Sequence, residues 1–386
     1  MNKTKKETAY YHLPGLFEFY ELYRKFLALF YEHREYFYDW CEIGSIYGAP
    51  ADCLWGGGRA GFGEDHAQDV LTLMQKYGIS ARLTFSNSLL REAHLSDKKC
   101  NALCALFENG MPDQNFSFKE KEKPDRNFSI DKGKEKPDRN FSIDKGKEKL
   151  NQDFSIGEEK EKSDQNLGWK KETELLDRYS DSKQEKGLLE PELIKKQENG
   201  VIVHSDLLLE YLKRNYPKLY LVSSTTKVLT DFDALIEEVN RKDFRYVVPD
   251  FRLNKAFDRL AGMTEEQKDK VEFLVNECCY IGCTDRKKCY EAVSRKNLGE
   301  RIQHICNAPE AKSGYLFSKA MKNPSFIGIE EIKNKYLPMG FSNFKIEGRS
   351  LGSALVLEFL LYYMTKPEYQ LRVREEIYLD NMLDLF

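Results

Sequence analysis

GVIVHSDLLLEYLKRNYPKLYLVSSTTKVLTDFDALIEEVNRKDFRYVVP, residues Gly200 to Pro249, alternates short apolar runs with amphipathic ones. Gly200–His204, Lys218–Ser223 and Phe244–Pro249 are rich in branched and aromatic residues and five or six residues long, which predicts buried strands. Between them, Asp206–Asn215 and Asp231–Asn240 carry apolar residues three and four apart, the spacing of a helix with one buried face. Strands that alternate with helices in this way build a parallel sheet.

The same alternation extends in both directions. Downstream, a helical stretch over Asn254–Ala261 leads to a sixth strand at Val271–Val275. Ser325–Gly328 with helix Ile329–Lys335 gives a seventh unit, and Asn343–Glu347 with helix Ala354–Met364 an eighth. Upstream, Tyr38–Ser45 and Ser80–Asn87 supply the first two strands, followed by helices over Glu64–Lys76 and Lys98–Glu108. An aromatic, amphipathic run from Pro14 to Glu35 predicts a leading N-terminal helix ahead of them. Eight strands separated by helices is the count of an α/β (β/α)8 TIM-like barrel.

Residues 111–198 break the pattern. They are rich in Lys, Glu, Asp, Asn and Ser, and KEKPDRNFSIDKG occurs verbatim at Lys121–Gly133 and again at Lys134–Gly146, with a decayed copy at Lys147–Glu159. Such a segment buries too little apolar surface to offset its ordering entropy, so disorder is expected, and an inert insertion is favoured over a binding role for its Asn-Phe-Ser-Ile repeats. Glu-Asn-Gly stands on both sides of it, at Glu108–Gly110 and Glu198–Gly200. The reading is therefore one barrel in two pieces: residues 1–110 with the leading helix and strands 1–2, and residues 199–386 with strands 3–8. The low-complexity insert lies between the second helix and the third strand, on the face opposite the one where barrels do chemistry. Without it roughly 300 residues remain, within the size range of a single barrel.

Net charge is −3 over 386 residues, so nothing global marks a nucleic-acid-binding protein. The first residues lack a continuous apolar core and a small-residue cleavage site, and charges interrupt the aromatic run from Leu16 to Tyr38 too often for a membrane span. Nine cysteines, odd in number and clustered, point to reduced thiols in a cytoplasmic setting.

In a barrel, reactive groups belong at the C-terminal ends of strands. Glu42, Asn87, His204, Asn276 and Glu347 end otherwise apolar strands there, with Glu277 directly after Asn276. These are the candidate catalytic residues. The bland alternative is that they bond to one another and hold the mouth together. The glycine-dense Trp55–Gly63 forms either a tight loop or an anion site with Arg59 as counter-charge. Arg59, Lys345 and Arg349 are the candidate cofactor-binding residues.

The sixth strand runs into the densest chemistry: VEFLVNECCYIGCTDRKKCYEAVSRKNLGERIQHIC, Val271 to Cys306. Five of the nine cysteines lie here: Cys278, Cys279, Cys283, Cys289 and Cys306. Thiolates are soft ligands that suit iron–sulfur clusters and zinc. Cys279, Cys283, Cys289 and Cys306 are the candidate metal ligands, an iron–sulfur cluster ranking ahead of zinc or free thiols. Cys100 and Cys104 read as small core residues of their helix. No serine or cysteine stands beside an obvious base, so proteolysis is not expected.

VNECCYIGCTDRKKCYEAVSR followed by FSNFKIEGRS resembles the collagenase-like peptidase family and its relatives, the oxygen-independent ubiquinone-biosynthesis hydroxylases and RNA-hydroxylation proteins. The shared features are a barrel, a strand leading into Asn and clustered cysteines, and a late Lys-Ile-Glu-Gly-Arg, here Lys345 to Arg349. The resemblance implies a [4Fe–4S] cluster held by Cys279, Cys283 and Cys306, with Cys289 or Cys278 as the fourth ligand. The cysteine spacing differs from that of either branch. A redox or hydroxylation-type enzyme follows as the expectation, acting on a small molecule or a nucleic-acid base, with a possible redox partner and no membrane. A barrel with structural zinc serving as a binding module is the alternative. A hydrolase using Glu277 and Glu347 ranks last.

Overall fold

The computed structural model describes residues 6–56, 67–110, 198–309, 311, 314–348 and 352–382. The repeat insert, Arg59 and Arg349 lie outside them. Eight strands form one parallel sheet: β1 (Ala9–Pro14), β2 (Cys41–Gly48), β3 (Ser80–Phe85), β4 (Gly200–Val203), β5 (Tyr220–Ser223), β6 (Phe244–Val247), β7 (Glu272–Leu274) and β8 (Asn343–Lys345). Each of β1 to β5 pairs with the next in sequence, and β8 pairs with both β1 and β7. The two ends of the sheet, β6 and β7, meet through a bridge between Val247 and Val271. The circuit is that of a (β/α)8 barrel.

Two strands differ from the expectation. The chain opens on β1, and the helix expected to lead, Tyr20–Glu32, follows it. In AYYHLP the buried His12 interrupts the apolar run, and its partners lie inside the barrel. The segment Ser325–Gly328 forms no strand. It lies beside β7 through a bond from Ile327 N–H to the Val275 carbonyl and then enters the helical run 329–339.

Side chains alternate along each strand. On β3, Ala81, Leu83 and Phe85 join the main core against the helices. The other set, Ser80, Arg82 and Thr84, is also buried and belongs to the interior. One interior layer is ionic. Glu272 accepts from Arg82 at 2.5 Å and from Lys345 Nζ at 3.2 Å, and His12 Nε2 lies 3.4 Å away. Arg82 Nε also donates to the Tyr220 hydroxyl at 2.8 Å, and its guanidinium lies over the Tyr246 ring. His12 Nδ1 shares a hydrogen bond of 2.8 Å with Ser45. Burial and the Arg82 charge push the His12 pKa down to about 3, against an opposing pull from Glu272, so the imidazole is neutral. Tyr47, Ile202, Val222 and Val248 form a separate apolar cluster in the interior, in contact with Tyr220 and Tyr246.

The insert leaves and re-enters at adjacent points. Asn199 Nδ2 donates to the Phe107 carbonyl at 2.8 Å, and the Lys218 amide donates to Glu108 at 3.0 Å. Among the described residues no helix is long and apolar enough to cross a membrane.

Candidate metal centre at the barrel mouth

The chain leaves β7 as Val275-Asn276-Glu277. The Asn276 side chain bonds the main chain of Glu347 twice: its Oδ1 accepts from the Glu347 amide at 2.7 Å and its Nδ2 donates to the Glu347 carbonyl at 2.9 Å. This joins the exits of β7 and β8 beyond the last ladder bond. Glu277 is 1% exposed. Its Oε1 accepts from the amides of Cys278 and Cys279, both at 2.9 Å, and its Oε2 from Arg286 at 2.7 Å. Charge-assisted bonds of this kind are strong, and together they tie Glu277 to the loop that follows it.

Arg286 opens the helix Arg286–Asn297 and is itself 3% exposed. It lies between Glu277 and Asp250, 3.4 Å from the latter, with the Phe251 ring against its guanidinium. Burial would lower its pKa, but Glu277, Tyr290, Cys279 and Asp250 together hold it well above the usual arginine value. Asp250 also accepts from Arg252 at 2.6 Å, and Arg252 reaches on to the Cys283 carbonyl at 2.8 Å. Asn323 Nδ2 donates to the Cys279 carbonyl at 2.8 Å. The cysteine loop is thus held by its backbone at Cys278, Cys279 and Cys283.

Beyond this frame lies a cavity of about 160 Å³ whose walls include Cys283, Cys289, His304 and Cys306. Cys289 Sγ and His304 Nε2 are 2.8 Å apart. Three of the four expected ligands therefore share one cavity. Cys279 is not among its lining residues, and Cys306 is exposed. Among the described residues, no three His, Cys, Asp or Glu side chains stand close enough together to hold a single ion. His304 was not among the expected ligands. The signal was present in the His-Ile-Cys that closes the stretch, a histidine two residues before the last cysteine.

The other candidates are dispersed. Glu42 is at the N-terminal end of β2, because that strand continues past Ser45 to Gly48; it pairs with Arg34 at 3.3 Å, half-exposed, at the far end of the barrel from the mouth. Asn87 is fully buried and bonds the carbonyls of Leu54 and Ser294 and the amide of Leu89. His204 sits at the mouth on the end of β4. Its Nδ1 meets the Thr226 hydroxyl at 2.8 Å, in a chain that continues through Ser224 to Ser86. Burial, then Lys227 and Lys287, push its pKa down to about 4. Lys345 is in the interior ionic layer. Cys100 is buried as expected and touches Cys53, the sulfurs 2.9 Å apart.

A solved structure, that of the U32 peptidase Mk0906, aligns with 90% of this chain and 96% of its own at 12% sequence identity and a TM-score of 0.38. No family model matches the chain, and no curated protein matches it.

Proposed function

We propose that this chain is an iron–sulfur-cluster-binding (β/α)8 barrel protein with redox chemistry at its C-terminal mouth, the cluster held by thiolates from Cys279, Cys283, Cys289 and Cys306. The observation that carries the reading is that Cys283, Cys289 and Cys306, three of these four, line one cavity in the segment after β7. The donor set is soft, as iron–sulfur clusters and zinc require. A single zinc ion needs its four donors within about 2.0–2.3 Å of one point. Cys279, Cys283, Cys289 and Cys306 would hold the cluster through their thiolates. When bound, such a cluster supplies one-electron transfer at a potential set by its ligands and their hydrogen bonds.

The frame around it supports that role. Glu277, Arg286, Asp250 and Arg252 fix the loop through backbone bonds, and Arg286 places a permanent positive charge behind thiolates that bind as anions. The Cys289–His304 contact favours a second reading, in which Cys289 is a thiol nucleophile and His304 its base. Strictly anaerobic purification followed by a visible spectrum and counts of iron, sulfide and zinc separates the two. Iron with equimolar sulfide supports the cluster. A colourless, metal-free protein whose Cys289 is alkylated far faster than its other thiols supports the nucleophile and sinks the cluster.

A further inference from the structure

We propose that the helix Arg286–Asn297 is a hinged lid over the barrel mouth, anchored at Arg286 and latched at Ser294. The helix lies across the exits of the strands. At its start, Arg286 meets Glu277 and Asp250, beyond the ends of β7 and β6. It packs beside the turn Thr225–Lys227, beyond β5. Near its end, Ser294 meets Asn87 and Ser88, beyond β3. Asn297 then stands against Gly56 in the loop after β2, where an added Cβ would come within 3.2 Å of its Nδ2.

The two ends are held by different means. Arg286 is a buried guanidinium between two carboxylates, and charge-assisted bonds of this kind are the strong ones. At Ser294 every bond is neutral. Asn87 Nδ2 donates to its carbonyl at 3.2 Å, the Ser88 amide donates to its hydroxyl at 3.1 Å, and the two serine hydroxyls are 3.2 Å apart. These distances lie at or beyond the long end of the usual range. Between the ends little holds the helix down. None of its side chains belongs to the main hydrophobic core, and of its apolar residues only Ala292 is fully buried. Elements with few buried apolar contacts open first. Residues 300–307, just beyond it, form neither helix nor strand and are largely exposed, which gives the latched end slack. Releasing the latch uncovers the exits of β3 to β5, where Asn87, His204 and Thr226 stand, so substrate enters the mouth from that side. The lid needs no metal, and the inference therefore stands apart from the proposed cluster.

The test uses the full chain purified anaerobically, with spin labels on encoded non-cysteine residues. Double electron–electron resonance from position Lys296, at the latched end, to Lys213 on the helix Asp206–Asn215 should give two distances, closed and open. From Lys287, at the anchored end, to Lys213 it should give one. Ser294→Ala removes the hydroxyl that bonds Ser88 and should raise the open share at Lys296 at least about threefold, the effect of losing one net hydrogen bond. Its melting temperature should stay within a few degrees of wild type. Ser88→Ala removes only the bond between hydroxyls, should give a smaller rise in the same direction, and carries the test if Ser294→Ala does not fold. A single, unchanged distance at Lys296 in wild type and variants overturns the lid. Equal changes at Lys287 and Lys296 overturn the anchored end and the inference with it. Iron and sulfide counts on the same samples decide the proposed function separately.

Discussion

Replacing Glu277 by Gln tests whether this carboxylate is an anchor or a catalyst. The substitution preserves shape and one carbonyl acceptor for the Cys278 and Cys279 amides, but it removes the charge opposite Arg286. That guanidinium is 3% exposed, so water cannot take over the carboxylate's role. Breaking a buried ion pair from one side costs about 3–5 kcal/mol. Asp250 remains 3.4 Å from Arg286, although Arg252 already draws on it, so the low end applies, about 3 kcal/mol. At about 2–4 °C per kcal/mol for a domain of this size, the melting temperature should fall by roughly 6–12 °C. Urea denaturation of wild type, Glu277→Gln, Arg286→Met and the double variant measures the effect directly. The double variant should recover at least about 2 kcal/mol relative to the sum of the singles, as expected for groups in contact. A loss below about 0.5 kcal/mol in Glu277→Gln, the range of surface substitutions, would refute the anchor and return the residue to the list of catalytic candidates.

Three further outcomes follow from the same structure. Glu272→Gln leaves Arg82 and Lys345 buried together without their shared carboxylate, and should cost about 3–5 kcal/mol in urea denaturation; apolar replacement of all three should restore most of it. Stability should fall on acidification. His12 has a folded pKa of about 3 against 6.5 in the unfolded chain, so below pH 6.5 the unfolded state binds the extra proton; by pH 5 this removes about 2 kcal/mol (1.5 units at 1.36 kcal/mol each), and His12→Gln should flatten that part of the profile. Glu272 adds to the same trend below its ordinary range, because its folded pKa is also depressed: burial alone would raise it, but Arg82, His12 and Lys345 hold it down. Deleting residues 111–197 should leave the melting temperature within a few degrees and metal content unchanged, since Asn199 already bonds the Phe107 carbonyl and the two chain ends meet.

The barrel was legible because the outer faces of its strands and its helices follow the common rule of apolar periodicity. Strands such as β4 and β5 are apolar on both faces, and a reading based on buried runs finds them at once. Strand β1 was missed because its interior face serves the ionic layer: His12 is there for Ser45, Asn343 and Glu272, partners far away in sequence. The end of β2 was misplaced for a similar reason. The strand was expected to end at Ser45, but Ile46, Tyr47 and Gly48 continue it, and the three-residue difference puts Glu42 at the far end rather than at the mouth. At the site, the cysteine loop and its place after β7 could be read from residue order alone. What could not be read was which groups are already occupied. Glu277 and Glu347 are two similar strand-end carboxylates in the sequence; in the fold, one anchors the loop through Cys278, Cys279 and Arg286, and the other bonds Asn276 through its main chain. The Cys289–His304 contact spans fifteen residues and depends on how the segment after the helix folds back, which no local pattern encodes.

Diffraction from anaerobically grown crystals, collected on both sides of the iron and zinc absorption edges, tests the metal centre most directly. The account predicts anomalous density at the iron edge in the cavity walled by Cys283, Cys289 and Cys306, continuous with their sulfurs. Density at the zinc edge alone, or iron bound anywhere other than beyond the end of β7, would contradict it.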